Sequence, residues 1–221
     1  MPEIIAFQEV VVKQQEILEK LLPEYLFVGS DRDDSAKTEG LFTAIRKDAV
    51  ALCGMEVFWL GPDPYDPATR FEGQSVHARI CVETLLKLKA TGKLLRVYNV
   101  HTDHMSETVA VRGLECVLSK VTENRKKLPA DTVILGDMNA EPEEGITDAV
   151  AAYRDLPLYE ATETISYTFH NYGRCVPPIK IDYIFISEDL KAAVKNVSLW
   201  EDEKNGIWLS DHYPVAMELE A

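Results

Sequence analysis

Short apolar blocks alternate along this chain with amphipathic stretches, and turn-forming residues separate many of them. Residues 4–7, Ile-Ile-Ala-Phe, predict a buried strand, since four apolar positions in a row leave no polar face. A helix is predicted over residues 11–22, stopped by Pro23. Strands are predicted over 25–28, 40–46 and 49–60, the last too apolar for an exposed face. Pro62, Pro64 and Pro67 mark 61–75 as a loop. Partial alternation over 77–87 predicts another strand, and Ala90-Thr91-Gly92-Lys93 a hairpin turn into a strand at 94–100. Ala110, Leu114, Val117, Leu118 and Val121 share one helical face. The run Thr132-Val133-Ile134-Leu135 is β-branched and short, so it predicts a buried strand. Further strands are expected at 181–186 and 215–219. Many strands and few helices point to an α/β sandwich, two sheets packed face to face with helices outside.

Composition narrows this picture modestly. A length of 221 residues suits one domain over 1–221, or one large and one small. An apolar share of 46% is ordinary for a globular core, and no apolar run is long enough to span a bilayer. Met1-Pro2-Glu3 lacks a basic start and Glu9 follows soon, so no secretory signal is read. The cytoplasm is therefore the default expectation, with secretion open if a leading segment has been removed. Cys53, Cys81, Cys116 and Cys175 are scattered without metal-ligand spacing and read as reduced thiols. A formal charge of −14 weighs against a general binder of polyanions, although carboxylates gathered at a metal would add to that charge. The basic run Asn124-Arg125-Lys126-Lys127 ends a helix, where cations suit the dipole, so it is a weak sign of nucleic-acid binding.

Candidate chemistry sits where strands stop. The central strand ends in Gly136-Asp137-Met138-Asn139-Ala140-Glu141-Pro142. Asp137 can bind a hard cation or take a proton from water, and Asn139 can orient an oxyanion without adding charge. Four other segments repeat the pattern: Ile4 through Gln8 leading to Glu9, Asn99-Val100-His101-Thr102-Asp103-His104, Ile181-Asp182-Tyr183, and Ser210-Asp211-His212-Tyr213-Pro214. Each has a plain alternative. Glu9 could cap the next helix, His101 and His104 could lie on a surface loop, and Asp182 could be an edge-strand acid. Asp211-His212 could be a turn, and Asn139 could brace its own loop.

Taken together and in this order, these segments resemble the endonuclease/exonuclease/phosphatase superfamily. The similarity covers nearly the whole chain and includes Phe58-Trp59-Leu60 before the proline-rich loop. The resemblance implies a DNase I-like sandwich and an Mg²⁺-dependent phosphoesterase, with Mn²⁺ as a substitute. It implies Glu9 and Asp211 as metal ligands, Asp137 as the group that aligns or deprotonates water, and Asn139 as a holder of a phosphate oxygen. His212 would contact the scissile phosphate, with Asp182 fixing its tautomer. His101 would donate to another phosphate oxygen, with Asn99 beside it. Arg32, in the polar loop 29–34, could reach a substrate phosphate or pair locally with Asp33 or Asp34. Arg79 could face the site or the solvent.

Family members begin with a further strand that ends in an Asn near the metal, whereas here Met1 directly precedes Pro2-Glu3-Ile4-Ile5. The chain is thus expected to lack that strand, leaving an exposed sheet edge that a second copy or another partner could complete. The expected substrate is a phosphorylated small molecule, a nucleotide or a phospholipid headgroup rather than long duplex DNA. A catalytically weak binding protein that keeps the fold is the alternative.

Overall fold

The computed structural model describes residues 1–33, 38–201 and 203–220. Its strands are β1 (Ile4–Val10), β2 (Tyr25–Asp31), β3 (Gly40–Arg46), β4 (Val50–Trp59), β5 (Ile80–Leu88), β6 (Leu94–His101), β7 (Asp131–Asp137), β8 (Leu158–Glu160), β9 (Asp182–Ser187), β10 (Val194–Leu199), β11 (Glu203–Lys204), β12 (Ile207–Trp208) and β13 (Val215–Leu219). The α-helices are α1 (Val12–Leu21), α2 (Glu107–Lys127) and α3 (Ile146–Ala152). No helix among the described residues is long and apolar enough to cross a membrane.

Six strands form the principal sheet, in the order β4-β5-β6-β7-β9-β8. Both of its faces are covered, which is why its central strands are apolar at nearly every position. Alternate residues serve opposite faces. Tyr98, Ile134, Tyr183 and Phe185 meet Leu114, Val117, Leu118 and Val121 of α2 and Ile146 of α3. Val97, Val133, Ile184 and Ile186 face the other way, toward Ile4, Ile45, Val197, Val215 and Met217. The last group belongs to a second layer.

The expected two-layer α/β sandwich is observed, but its second layer is not one sheet. It consists of β1-β3-β2 and, separately, β10-β13. β1 is hydrogen-bonded to β3 alone and β13 to β10 alone among the described residues. A small hairpin, β11-β12, lies apart.

Several boundaries differ from the sequence-based expectation. β2 runs on to Asp31, so residues 29–31 pair with β3 rather than forming a loop, and Asp34 lies outside the described residues. β5 starts at Ile80, which leaves His77, Ala78 and Arg79 in the chain leading into it. α3, β8 and β10 were not foreseen. α3 has seven residues and β8 three, too few to show a period, and a register shift between Val194 and Asn196 breaks the alternation of β10.

Strand direction decides where chemistry collects. β6 and β7 are parallel and end at the same rim. β5 is antiparallel to β6, and β9 to β7, so both begin at that rim. Arg79 enters β5, His101 ends β6, Asp137 ends β7 and Asp182 opens β9. Gly136 makes this arrangement possible. Its φ is 133°, and an added Cβ would lie 2.0 Å from the Val100 carbonyl oxygen. Gly136→Ala is expected to destabilise the protein by about 2–4 kcal/mol, a fall in melting temperature of roughly 5–15 °C by calorimetry. An unchanged melting temperature would contradict the close approach.

Candidate active site

Glu9 reaches the rim through a backbone irregularity. The pairing of β1 with β3 shifts register between Phe7 and Val10, and Glu9 has a left-handed φ of 57°. Such a bulge re-aims a side chain at some cost in strain. The Glu9 carboxylate opens into a cleft of about 380 Å³. Desolvation there, then the negative charges of Glu39 and Asp211, push its pKa up.

Asp137 stands opposite Asp182 in the β7–β9 register and is buried. Its Oδ1 accepts the Asn139 backbone N–H at 2.8 Å, and its Oδ2 lies 3.5 Å from His101 Nε2 and 3.9 Å from His212 Nε2. Burial, then the nearby charge of Asp182, raise the Asp137 pKa well above the usual carboxylate range.

His212 Nδ1 is 2.7 Å from Asp182 Oδ2, and its ring packs against Phe169 with centroids 4.8 Å apart. Burial alone would lower the His212 pKa. The hydrogen bond and charge of Asp182 outweigh it, followed by the charges of Asp137 and Asp211, and bring the pKa to about 9. At neutral pH this ring is a cation aimed at Asp137, with its tautomer and orientation held by Asp182.

Asn139 has a φ of 46°, in the left-handed region that Asn tolerates. Its Nδ2 donates to the Thr102 carbonyl at 3.1 Å, which both braces the loop and leaves a second amide hydrogen over the cleft. His101 is buried, and its Nε2 lies 3.0 Å from Arg79 Nη1. Burial, then the Arg79 charge, hold its pKa well below the ordinary histidine value, so the ring is neutral.

Glu9, His101, Asp137, Asn139, Asp211 and His212 thus line one cleft, with Asp182 behind His212. Asn99 and Arg32 are placed differently. Asn99 is fully buried: its Oδ1 accepts from Gln8 Nε2 at 2.7 Å, and its Nδ2 donates to the carbonyls of Phe7 and Phe42, each at 3.2 Å. The amide ties β6 to the start of the Glu9 bulge and to β3, which supports the site from beside it and leaves no contact with the cleft. Arg32 is also buried. It pairs with Glu39 at 2.8 Å, across the β2–β3 connection, and does not line the cleft.

Sequence reasoning left five contributors without a settled role. Arg79 and His104 line the cleft, Phe169 and Ile181 form an apolar wall beside His212, and Glu39 bears on Glu9 electrostatically. A strand-like alternation around Arg79 concealed its position ahead of β5. Glu39 becomes visible only once β2 and β3 are paired.

A hard divalent cation fits the donor set. Glu9 and Asp211 line the same cleft and repel each other, a tension that a bound cation relieves. Among the described residues no three acid, His or Cys side chains converge tightly enough to make a cage. Mg²⁺ retains several waters and needs only one or two carboxylates, so two suffice.

Layered sheets carrying an acid–imidazole cleft at one rim define a DNase I-like α/β protein. The chain belongs to the Endonuclease/Exonuclease/phosphatase family, whose model matches residues 1–212. No functionally curated protein matches the chain. Among solved structures, an endonuclease/exonuclease/phosphatase protein from Bacteroides vulgatus is 28% identical with a TM-score of 0.85, covering 99% of this chain and 85% of its own. A mannosyl-6-phosphatase from Bacteroides thetaiotaomicron is 25% identical with a TM-score of 0.85, covering 98% of this chain and 85% of its own. The human Nocturnin catalytic domain shares the fold at 17% identity and a TM-score of 0.69, covering 98% of this chain and 81% of its own. Family and neighbours support phosphoesterase chemistry.

Proposed function

We propose that this protein hydrolyses phosphate esters with Mg²⁺, or Mn²⁺ in its place. The observation that carries this reading is the facing pair Asp137 and His212, with His212 locked to Asp182 at 2.7 Å. Ester hydrolysis needs a base for water and a donor for the phosphate or leaving group, placed on one small centre. Asp137, buried and raised in pKa, is suited to accept a proton from water near neutral pH. His212, charged up to about pH 9, is suited to donate to a phosphoryl oxygen. Asn139 offers an uncharged hydrogen bond to another oxygen. Glu9 and Asp211 would hold the cation, which when bound supplies charge for the phosphate oxygens and acidifies water.

The acidic surface disfavours long duplex DNA, and a phosphorylated small molecule, nucleotide or headgroup is the better class of substrate. The mannosyl-6-phosphatase neighbour is consistent with a small phosphomonoester. Phosphate release from a panel of monoesters and diesters, with Mg²⁺, Mn²⁺ and chelator, tests the reading. No release from any ester would remove it. Glu9→Gln is expected to weaken Mg²⁺ binding by calorimetry about tenfold or more, and equal affinity would exclude Glu9 as a ligand.

A second reading is a binding protein that retains the fold with little turnover. One observation favours it: β1, which carries Glu9, has a single strand neighbour among the described residues, so its other edge is open to another chain. Failure to bind Mg²⁺ or Mn²⁺ by calorimetry would favour this second reading.

A further inference from the structure

The wall of the cleft holds a second cation besides His212. Arg79 is buried, 4% exposed, yet it lines the cleft. Its Nε lies 3.4 Å from Asp103 Oδ2, its Nη1 3.0 Å from His101 Nε2 and its Nη2 2.6 Å from His104 Nδ1. A guanidinium only donates, so both ring nitrogens must accept. That places the His101 proton on Nδ1 and the His104 proton on Nε2. His101 therefore turns an acceptor toward Arg79, and the donor that this wall offers is the guanidinium.

Arginine has five N–H donors, and these three contacts use one on each nitrogen. One N–H on each terminal nitrogen remains for a ligand, the fork that matches two oxygens of a phosphate. Asp103 is itself fixed by the Ser75 hydroxyl at 2.5 Å, the Ser75 N–H at 3.2 Å and the Met105 N–H at 3.0 Å. The loop before β5 and the turn after β6 thus hold Arg79 on three sides.

We propose that Arg79 grips the substrate phosphate through this fork, with His101, His104 and Asp103 as positioning residues, and that the site is thereby matched to terminal phosphomonoesters. This rests on the phosphoesterase reading above. A monoester phosphate carries about −1.5 to −2 charges at pH 7 and three non-bridging oxygens, whereas a diester carries one charge and two such oxygens. His212 Nε2 and His101 Nε2 both approach Asp137 Oδ2, at 3.9 and 3.5 Å. Arg79, held against His101, adds a permanent charge beside them, where the additional oxygen of a monoester needs a partner.

The test compares p-nitrophenyl phosphate with bis(p-nitrophenyl) phosphate at saturating Mg²⁺, together with calorimetric binding of inorganic phosphate. The proteins are wild type, Arg79→Met and His104→Ala. Arg79→Met leaves Asp103 its Ser75 and Met105 donors, and His104 is exposed, so both variants are expected to melt near wild type. Phosphate affinity should fall about ten- to a hundredfold in Arg79→Met and several-fold in His104→Ala. In Arg79→Met, kcat/KM should fall by more for the monoester than for the diester. Unchanged phosphate affinity in both variants, or equal losses on the two esters, would overturn the proposal. If wild type binds phosphate and the variants lose it while no ester is cleaved, the Arg79 grip stands and the esterase reading falls.

Discussion

His212→Ala is expected to lower kcat for a phosphate ester by about 10²–10⁴ while the protein still folds. The ring is held by one Asp182 hydrogen bond and contact with Phe169, both at the mouth of the cleft rather than in the core. Its loss therefore removes a charged donor without opening the main hydrophobic clusters. The same residue sets an alkaline limit. Its folded pKa, about 9, is above its ordinary value of 6.5. The stability contributed by the His212–Asp182 pair is fully present below pH 6.5 and is lost as pH rises through about 9. Turnover should fall over the same upper range as the imidazolium deprotonates. Asp182→Asn weakens this hold, so its alkaline limb should move to lower pH. An unmoved limb would separate Asp182 from His212.

Asp137→Asn is expected to produce a comparable or larger loss, about 10³-fold or more, with no loss of stability. The amide fills the same space and can still accept the Asn139 N–H through its oxygen. It removes a carboxylate that burial and the charge of Asp182 disfavour. The sign is opposite to that for His212. A carboxyl raised above its unfolded pKa binds more protons when folded, so ionising it reduces stability as pH rises from about 4 through the raised value. The variant should therefore melt at or above the wild-type temperature at pH 7.5. A variant that melts much lower would show Asp137 to be chiefly structural.

Much of this site was legible in the sequence because strand ends and chemistry coincide. The apolar runs that end at His101 and Asp137, and the one that begins at Asp182, are buried on both sheet faces, and such runs announce themselves. Where they stop, a polar side chain has to meet solvent, a ligand or a partner. The sequence marks Glu9 as a candidate, and it does line the cleft, but its mode of delivery is not legible there. A β-bulge leaves no mark in a run such as Phe7-Gln8-Glu9-Val10, because the irregularity arises from pairing with β3. Arg79 was obscured for a related reason. Its apolar neighbours Ala78 and Ile80 imitate strand alternation, although β5 begins only at Ile80. Asn99 shows the reverse case. The Asn-Val-His spacing marks it as functional, and its amide proves to be used entirely on Gln8, Phe7 and Phe42. The division of the second layer depends on which strands pair at long range, and local hydrophobic pattern does not specify that.

The roles proposed for Asp137 and the cation converge on one measurement, phosphate release from a monoester by wild type and Asp137→Asn, each with Mg²⁺ and with chelator. The expected result is steady release by wild type only with Mg²⁺, and release about 10³-fold slower by a folded Asp137→Asn protein. Equal release by the two proteins, or undiminished release in chelator, would contradict a metal-assisted attack of water prepared by Asp137.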